Sequence, residues 1–178
     1  EELGPACLNR FNGQFAIAIW DRTRRRLFLG RDRLGVRPLF YAAKGDRIVF
    51  ASEIKSVLCD PDVVAEPDPV ALAQIFAYWS PLSPRTAFRG IRELPPGHYM
   101  LVDDNGVQVE RYWEIGFPAA HSPPCHTDFN DCAAQFRDLL VDAARIRLRA
   151  DVEVGAYLSG GLDSSVITSV AKDLAGAD

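Results

Sequence analysis

The chain has 178 residues, 48% hydrophobic and 25% charged, with 20 basic against 24 acidic side chains and a formal charge of −4. These values suit a globular chain with one good core or two small ones, and the mild acidity argues against nucleic acid as a partner. No apolar run is long enough to span a bilayer and no signal-peptide pattern is present, so we expect a cytoplasmic protein with no membrane partner.

The four cysteines, Cys7, Cys59, Cys125 and Cys132, lack C-x-x-C spacing and read as reduced thiols, not a disulfide framework or zinc site. The sequence opens at Glu1 without a methionine and stops at Asp178 after a single strand–helix pattern. A parallel nucleotide-binding sheet needs several such units, so the expectation is a piece of a longer chain.

Residues 10–52 read as paired strands. In Phe15-Ala16-Ile17-Ala18-Ile19-Trp20, large aliphatics alternate with small residues, as in a strand facing two layers. A polar turn over residues 21–25 leads into the returning Arg26-Leu27-Phe28-Leu29-Gly30. The cluster Arg22, Arg24, Arg25 and Arg26 is either a basic binding patch or, as we prefer, a solvated hairpin tip, because no aromatic residue interleaves it. Pro38-Leu39-Phe40-Tyr41-Ala42 and Arg47-Ile48-Val49-Phe50-Ala51-Ser52 flank Lys44-Gly45-Asp46 as a second hairpin. Between the hairpins, Arg31, Asp32, Arg33 and Arg37 lie among apolar residues. Buried charges must be paired, so Asp32 is expected to form a structural ion-pair network with one of these arginines.

Residues 53–58 suggest a short helix and residues 61–69 a connector. Asp68 can cap the following helix with Pro69 at its first position. Leu72, Ile75, Phe76 and Trp79 follow at i, i+3, i+4 and i+7, an apolar stripe read as core or domain interface. Residues 88–102 run through Leu94-Pro95-Pro96-Gly97-His98 to Asn105-Gly106, a hairpin signal, and a last strand over 107–112. His98 is either catalytic or, as is commoner beside a Pro-Pro-Gly turn, a hydrogen-bonded structural residue. Residues 114–127 are rich in proline and read as a linker. His121, Cys125 and His126 make a poor metal site there, for want of a fourth ligand. Thr127 or Asp128 caps a long helix with Phe136, Leu139, Leu140, Ala143 and Ile146 on its apolar side.

An apolar strand pattern over 152–158 then enters Ser159-Gly160-Gly161-Leu162-Asp163-Ser164-Ser165, followed by helical spacing of Val166, Ile167, Val170, Ala171 and Leu174. A strand–loop–helix joint leaves free backbone N–H groups at the positive end of the helix dipole. Gly160 and Gly161 allow close backbone approach, and Ser159, Ser164 and Ser165 add hydroxyl donors. This is a phosphate cradle. The Gly-x-x-x-x-Gly-Lys-[Ser/Thr] spacing is absent and no cation sits in the loop, so Asp163 makes sense with a divalent cation between it and a phosphate. The plainer alternative is a tight turn with Asp163 as a helix cap.

The string from Ser159 to Ser165 resembles the pyrophosphate loop of the ATP pyrophosphatases, and its flank from Arg147 to Leu158 is similar to that of glutamine-dependent asparagine synthetases. Residues 10–52, through Arg10-Phe11-Asn12-Gly13-Gln14-Phe15-Ala16, Gly30-Arg31-Asp32-Arg33-Leu34-Gly35-Val36-Arg37-Pro38-Leu39 and Ala51-Ser52-Glu53-Ile54-Lys55, resemble the later half of the glutaminase domain of that family. Leu94-Pro95-Pro96-Gly97-His98 also fits the family, where it closes the glutaminase domain.

The resemblance implies an α+β N-terminal-nucleophile-hydrolase-like sandwich over residues 1–113 and a linker over 114–127. Residues 128–178 would then hold the first βα unit of an α/β parallel-sheet ATP pyrophosphatase domain. It implies ATP and Mg²⁺ as cofactors: Leu158, Ser159, Gly160, Gly161, Leu162, Asp163, Ser164 and Ser165 would bind ATP and its pyrophosphate, with Asp163 near the metal. It further implies a ligase that adenylates a carboxylate, aspartate first, and amidates it with ammonia from glutamine. A homodimer is carried as the candidate assembly.

No glutaminase nucleophile occurs in this sequence. Cys7 is internal and lacks an adjacent α-amino base, and Asn12-Gly13 matches a motif other than the oxyanion pair. The chain by itself is therefore not expected to hydrolyse glutamine. Two other readings stand beside the first: a sister amidotransferase or β-lactam-synthetase-like enzyme with another carboxylate, and a non-catalytic remnant module.

Overall fold

The computed structural model describes residues 2–120 and 128–176 and divides into two compact units, Glu1–Phe117 and Pro118–Asp178. The first unit holds seven strands: β1 (Ala16–Asp21), β2 (Arg26–Arg31), β3 (Phe40–Lys44), β4 (Arg47–Ala51), β5 (Arg92–Glu93), β6 (His98–Asp103) and β7 (Gly106–Arg111). They form two antiparallel sheets, one in the order β1-β2-β6-β7 and one in the order β4-β3-β5. A 3₁₀ helix over Gly4–Arg10 and two α-helices, α1 (Ile54–Val57) and α2 (Pro69–Tyr78), complete the unit.

Strand alternation builds the core. Leu29 of β2 pairs with Met100 of β6, and both are fully buried with Leu39, Tyr41 and Leu94 between the two sheets. Next to Tyr41 on β3, Ala42 points to the opposite face and packs with Val57 of α1, Val63 and Ile91. On the outer face of the larger sheet lies the 3₁₀ helix: a Cβ on Gly30 would stand 3.2 Å from Ile17 and 3.3 Å from Leu8, which is fully buried. Truncating a core residue such as Leu29 to Ala would cost about 2–5 kcal/mol.

Both hairpins form where the sequence places them, and Arg24 pairs with Asp21 on the first, as a solvated tip would. Asp68 caps α2 by accepting from the N–H of Val70 and Ala71. Of the two expectations for the apolar stripe of α2, core and domain interface, the first does not hold within this unit. Its buried residue is Ala71, whereas Leu72 is exposed and Phe76 and Trp79 are 89% and 94% exposed. The small side of the helix, at Ala71, is covered within the unit, and the large side, at Phe76 and Trp79, is exposed.

The second unit holds α3 (Phe129–Arg147) and α4 (Leu162–Ala175). Asp128 caps α3 by accepting from Asn130 N–H; Thr127, the other cap considered, lies outside the described residues, as do His121, Cys125 and His126. On α3 Phe136 and Leu139 are 67% and 71% exposed, and the half-buried positions of this helix and its C-cap are Leu140, Val141, Ala144, Ile146 and Leu148. The expected strand over 152–158 is not formed. A parallel strand takes its hydrogen bonds from neighbours, and the described residues of this unit hold no other strand, so Val152, Val154, Tyr157 and Leu158 run exposed. No helix among the described residues is long and apolar enough to cross a membrane.

Candidate functional site

The loop before α4 gathers the residues singled out in the sequence. Gly160 takes φ +81°, a conformation that a side chain disfavours, and Gly161 is the helix N-cap in extended conformation with no side-chain cap. The first intrahelical bond is Ser165 N–H to Gly161 O at 3.1 Å. The N–H groups of Leu162, Asp163 and Ser164 therefore stand free of backbone acceptors among the described residues, at the positive end of a 14-residue helix.

The hydroxyls behave differently from expectation. Ser164 and Ser165 each donate to Gly161 O, at 3.1 and 2.8 Å. Ser164 has one hydrogen, and it is thus used, so Ser159 must donate across the 3.0 Å contact between the two serine oxygens. In this arrangement all three hydroxyl hydrogens are satisfied internally, and an incoming anion meets the backbone N–H groups first. The hydroxyls have to rotate to serve as donors. Asp163 sits in the first turn with no hydrogen-bond or ion-pair partner among the described residues, and Leu158 and Leu162 are 64% and 80% exposed. Beside the loop a cleft of about 380 Å³ opens between α3 and α4, lined by Leu140, Ala144, Tyr157, Ile167 and Ala171. Thr168 Oγ1 is buried without a partner. The described residues contain no cluster of three or more metal-ligating side chains.

In the first unit, Asp32 is the organising group, and it has no arginine side-chain partner among the described residues. The carboxylate is 2% exposed. Its Oδ1 accepts from Leu34 and Val36 N–H at 3.2 and 3.0 Å, and its Oδ2 from Phe15 and Arg37 N–H at 3.2 and 2.9 Å. Burial pushes this carboxyl up, but the N–H groups of Arg37, Val36, Phe15 and Leu34 together outweigh burial and hold it below the ordinary carboxylate range. The expected ion pair is replaced by a ring of amides, because the loop bends its own backbone donors inward around the side chain.

Arg31, also buried, pairs with Glu93 at 3.1 Å and donates to the carbonyls of Leu94, Gly35 and Arg37. Tyr112 closes the knot by donating its hydroxyl to Arg31 O at 2.8 Å. Glu93 and Tyr112 carried no signal in the sequence, since both partners of Arg31 arrive from more than 60 residues away.

His98 donates from Nδ1 to Pro96 O at 2.7 Å, since a carbonyl can only accept, which leaves Nε2 without the proton when the ring is neutral. Cys7, Cys59 and Cys132 are free thiols; Cys125 lies outside the described residues.

Comparison with known proteins agrees with both units. Residues 1–113 match the glutamine amidotransferase domain and residues 135–177 the asparagine synthase domain. The chain is 42% identical over 167 residues to asparagine synthetase [glutamine-hydrolyzing] 3 of Bacillus subtilis, covering 93% of this chain and 26% of that protein. It is 32% identical over 174 residues to a putative asparagine synthetase of Methanocaldococcus jannaschii, covering 97% and 33%. Amidase chyE of Penicillium rubens is 32% identical over 172 residues, covering 96% and 25%. The chain thus spans about a quarter to a third of the length of these relatives. With a glutamine amidotransferase domain followed in order by asparagine synthase sequence, the chain belongs to the glutamine-hydrolysing asparagine synthetase family.

Proposed function

We propose that the protein carrying this chain is a glutamine-dependent asparagine synthetase. ATP would activate the aspartate carboxylate as an acyl-adenylate, and ammonia released from glutamine would displace AMP, giving asparagine, AMP and pyrophosphate. A carboxylate is a poor electrophile, and adenylation supplies the leaving group it lacks. In this reading residues 1–113 belong to the glutaminase domain, 114–127 to a linker and 128–178 to the synthetase domain.

The observation that carries the proposal is the loop at α4. Three uncapped N–H groups converge at the helix start with the unpartnered Asp163 beside them. The donor set fits a polyphosphate. A Cβ on Gly160 would meet nothing within 4 Å, so the approach to the backbone is open. The N–H groups of Leu162, Asp163 and Ser164 would hold the phosphates, joined by the Ser159, Ser164 and Ser165 hydroxyls after rotation, with Leu158 near the nucleotide. Mg²⁺ held with Asp163 would neutralise charge on the departing pyrophosphate.

The test is product analysis on the full-length protein with glutamine, aspartate and Mg·ATP. Asparagine and AMP should form in equal amounts, and Asp163→Asn should lower the rate by about a hundredfold or more. Formation of ADP in place of AMP would refute the reading.

A second reading, a sister amidotransferase acting on a different carboxylate, is favoured by the similarity to fungal proteins named amidases. AMP formation that ignores aspartate and responds to another acid would select it.

A further inference from the structure

The segment that follows α2 borders a cleft of about 430 Å³, within the size range of small-molecule sites. Its apolar wall is Leu82, Phe88 and Ile91, and its polar lining is dominated by donors. Three guanidinium groups, Arg85, Arg89 and Arg92, face one carboxylate, Asp68, in a chain whose overall charge is negative.

The pairing of these groups is incomplete. Arg85 and Arg92 oppose each other across an antiparallel bridge, so their side chains leave the backbone on the same side, where like charges repel. Asp68 answers only Arg85, at 2.7 Å through Oδ2, because its Oδ1 is taken by the N–H groups of Val70 and Ala71. Arg89 pairs with Glu66 at 2.6 Å, with both side chains more than half exposed. The Arg92 guanidinium has no hydrogen-bond or ion-pair partner among the described residues. Gln74 Oε1 accepts from Leu82 N–H at 3.0 Å, and its NH₂ donors have no partner among the described residues.

The frame around these groups is internally tied. Thr86 Oγ1 donates to Ile91 O at 2.8 Å, Glu93 N–H to Pro84 O at 3.0 Å, and Arg89 N–H to Glu66 O at 2.8 Å. The guanidinium groups are therefore mounted on a backbone that needs little ordering on binding.

We propose that this cleft binds a small molecule bearing carboxylate or phosphate oxygens, with Arg92 as its principal contact, Arg89 and Arg85 beside it, and its apolar part against Leu82 and Phe88. An oxyanion placed there relieves the Arg85–Arg92 repulsion and supplies the acceptor that Arg92 lacks.

The test is isothermal titration of the full-length protein with citrate and, separately, with inorganic phosphate. The wild type is compared with Arg92→Gln, Arg89→Gln and, as a control on the solvated hairpin tip, Arg22→Gln. Saturable one-site binding is expected for at least one anion, weakened about tenfold or more by Arg92→Gln and unchanged by Arg22→Gln. Binding of citrate alone assigns a polycarboxylate ligand, and binding of phosphate alone a phosphate ester. The proposal is overturned if neither anion binds up to about 10 mM, or if Arg92→Gln leaves the affinity where it was. Arg92 is exposed, so its replacement tests binding without endangering the fold.

Discussion

Replacing Asp32 by Asn tests whether a buried carboxylate ringed by amides holds the first unit together. Each carboxylate oxygen accepts two backbone N–H groups, Oδ1 from Leu34 and Val36 and Oδ2 from Phe15 and Arg37. Asparagine keeps one acceptor oxygen and turns the other into a donor, so two N–H groups lose their acceptor and face an NH₂. At about 1–3 kcal/mol for each buried donor left unsatisfied, the expected loss at pH 7 is about 2–6 kcal/mol. The pH dependence gives a second check. Asp32 in the fold sits below its ordinary 3.8, so its contribution is fully present above that value and is lost as pH falls through the folded pKa. The gap between wild type and Asp32→Asn should therefore be widest at neutral pH and begin to shrink below about pH 4, where the unfolded chain takes up a proton that the folded carboxylate still resists. Urea unfolding of the full-length protein, followed by hydrogen exchange of peptides covering residues 26–44, reads the gap at both pH values. A loss under about 1 kcal/mol at pH 7, or a gap of equal size at pH 3, would refute the reasoning.

Two glycines separate backbone strain from steric clash. Gly97 has φ +67° and a Cβ there would stand 2.5 Å from the Trp113 carbonyl oxygen, whereas Gly45 has φ +58° with open space around it. Gly45→Ala should cost about 1–2 kcal/mol and Gly97→Ala distinctly more; equal melting shifts would show that the Trp113 contact does not matter. On α2, Phe76→Ser should change stability by no more than about 0.5 kcal/mol, while Ala71→Leu should cost about 1–3 kcal/mol by overpacking. A large loss from Phe76→Ser in thermal melts would mean that the outward stripe is covered in the full-length protein.

Much of the local structure was legible in the sequence because it rests on short-range physics. The two-residue period of Tyr41 and Ala42, the hairpin signalled by Asn105-Gly106, whose turn falls at Asp104-Asn105, and the Asp68-Pro69 helix start each depend on neighbours a few residues apart. The loop from Ser159 to Ser165 was legible for the same reason: its N-cap glycine and uncapped N–H groups are local consequences of the order of residues. Three features needed the tertiary structure. Asp32 was expected to seek an arginine, yet the folded loop surrounds it with backbone donors that no charge pattern announces. The stripe of α2 has the period of a buried face, but periodicity marks a face without saying whether it is covered; the packing of Ala71 leaves Phe76 and Trp79 outside. The apolar run at 152–158 has the composition of a strand, but a strand exists only through hydrogen bonds to another strand. Composition supplies the propensity for that structure, and only the neighbouring chain supplies the bonds.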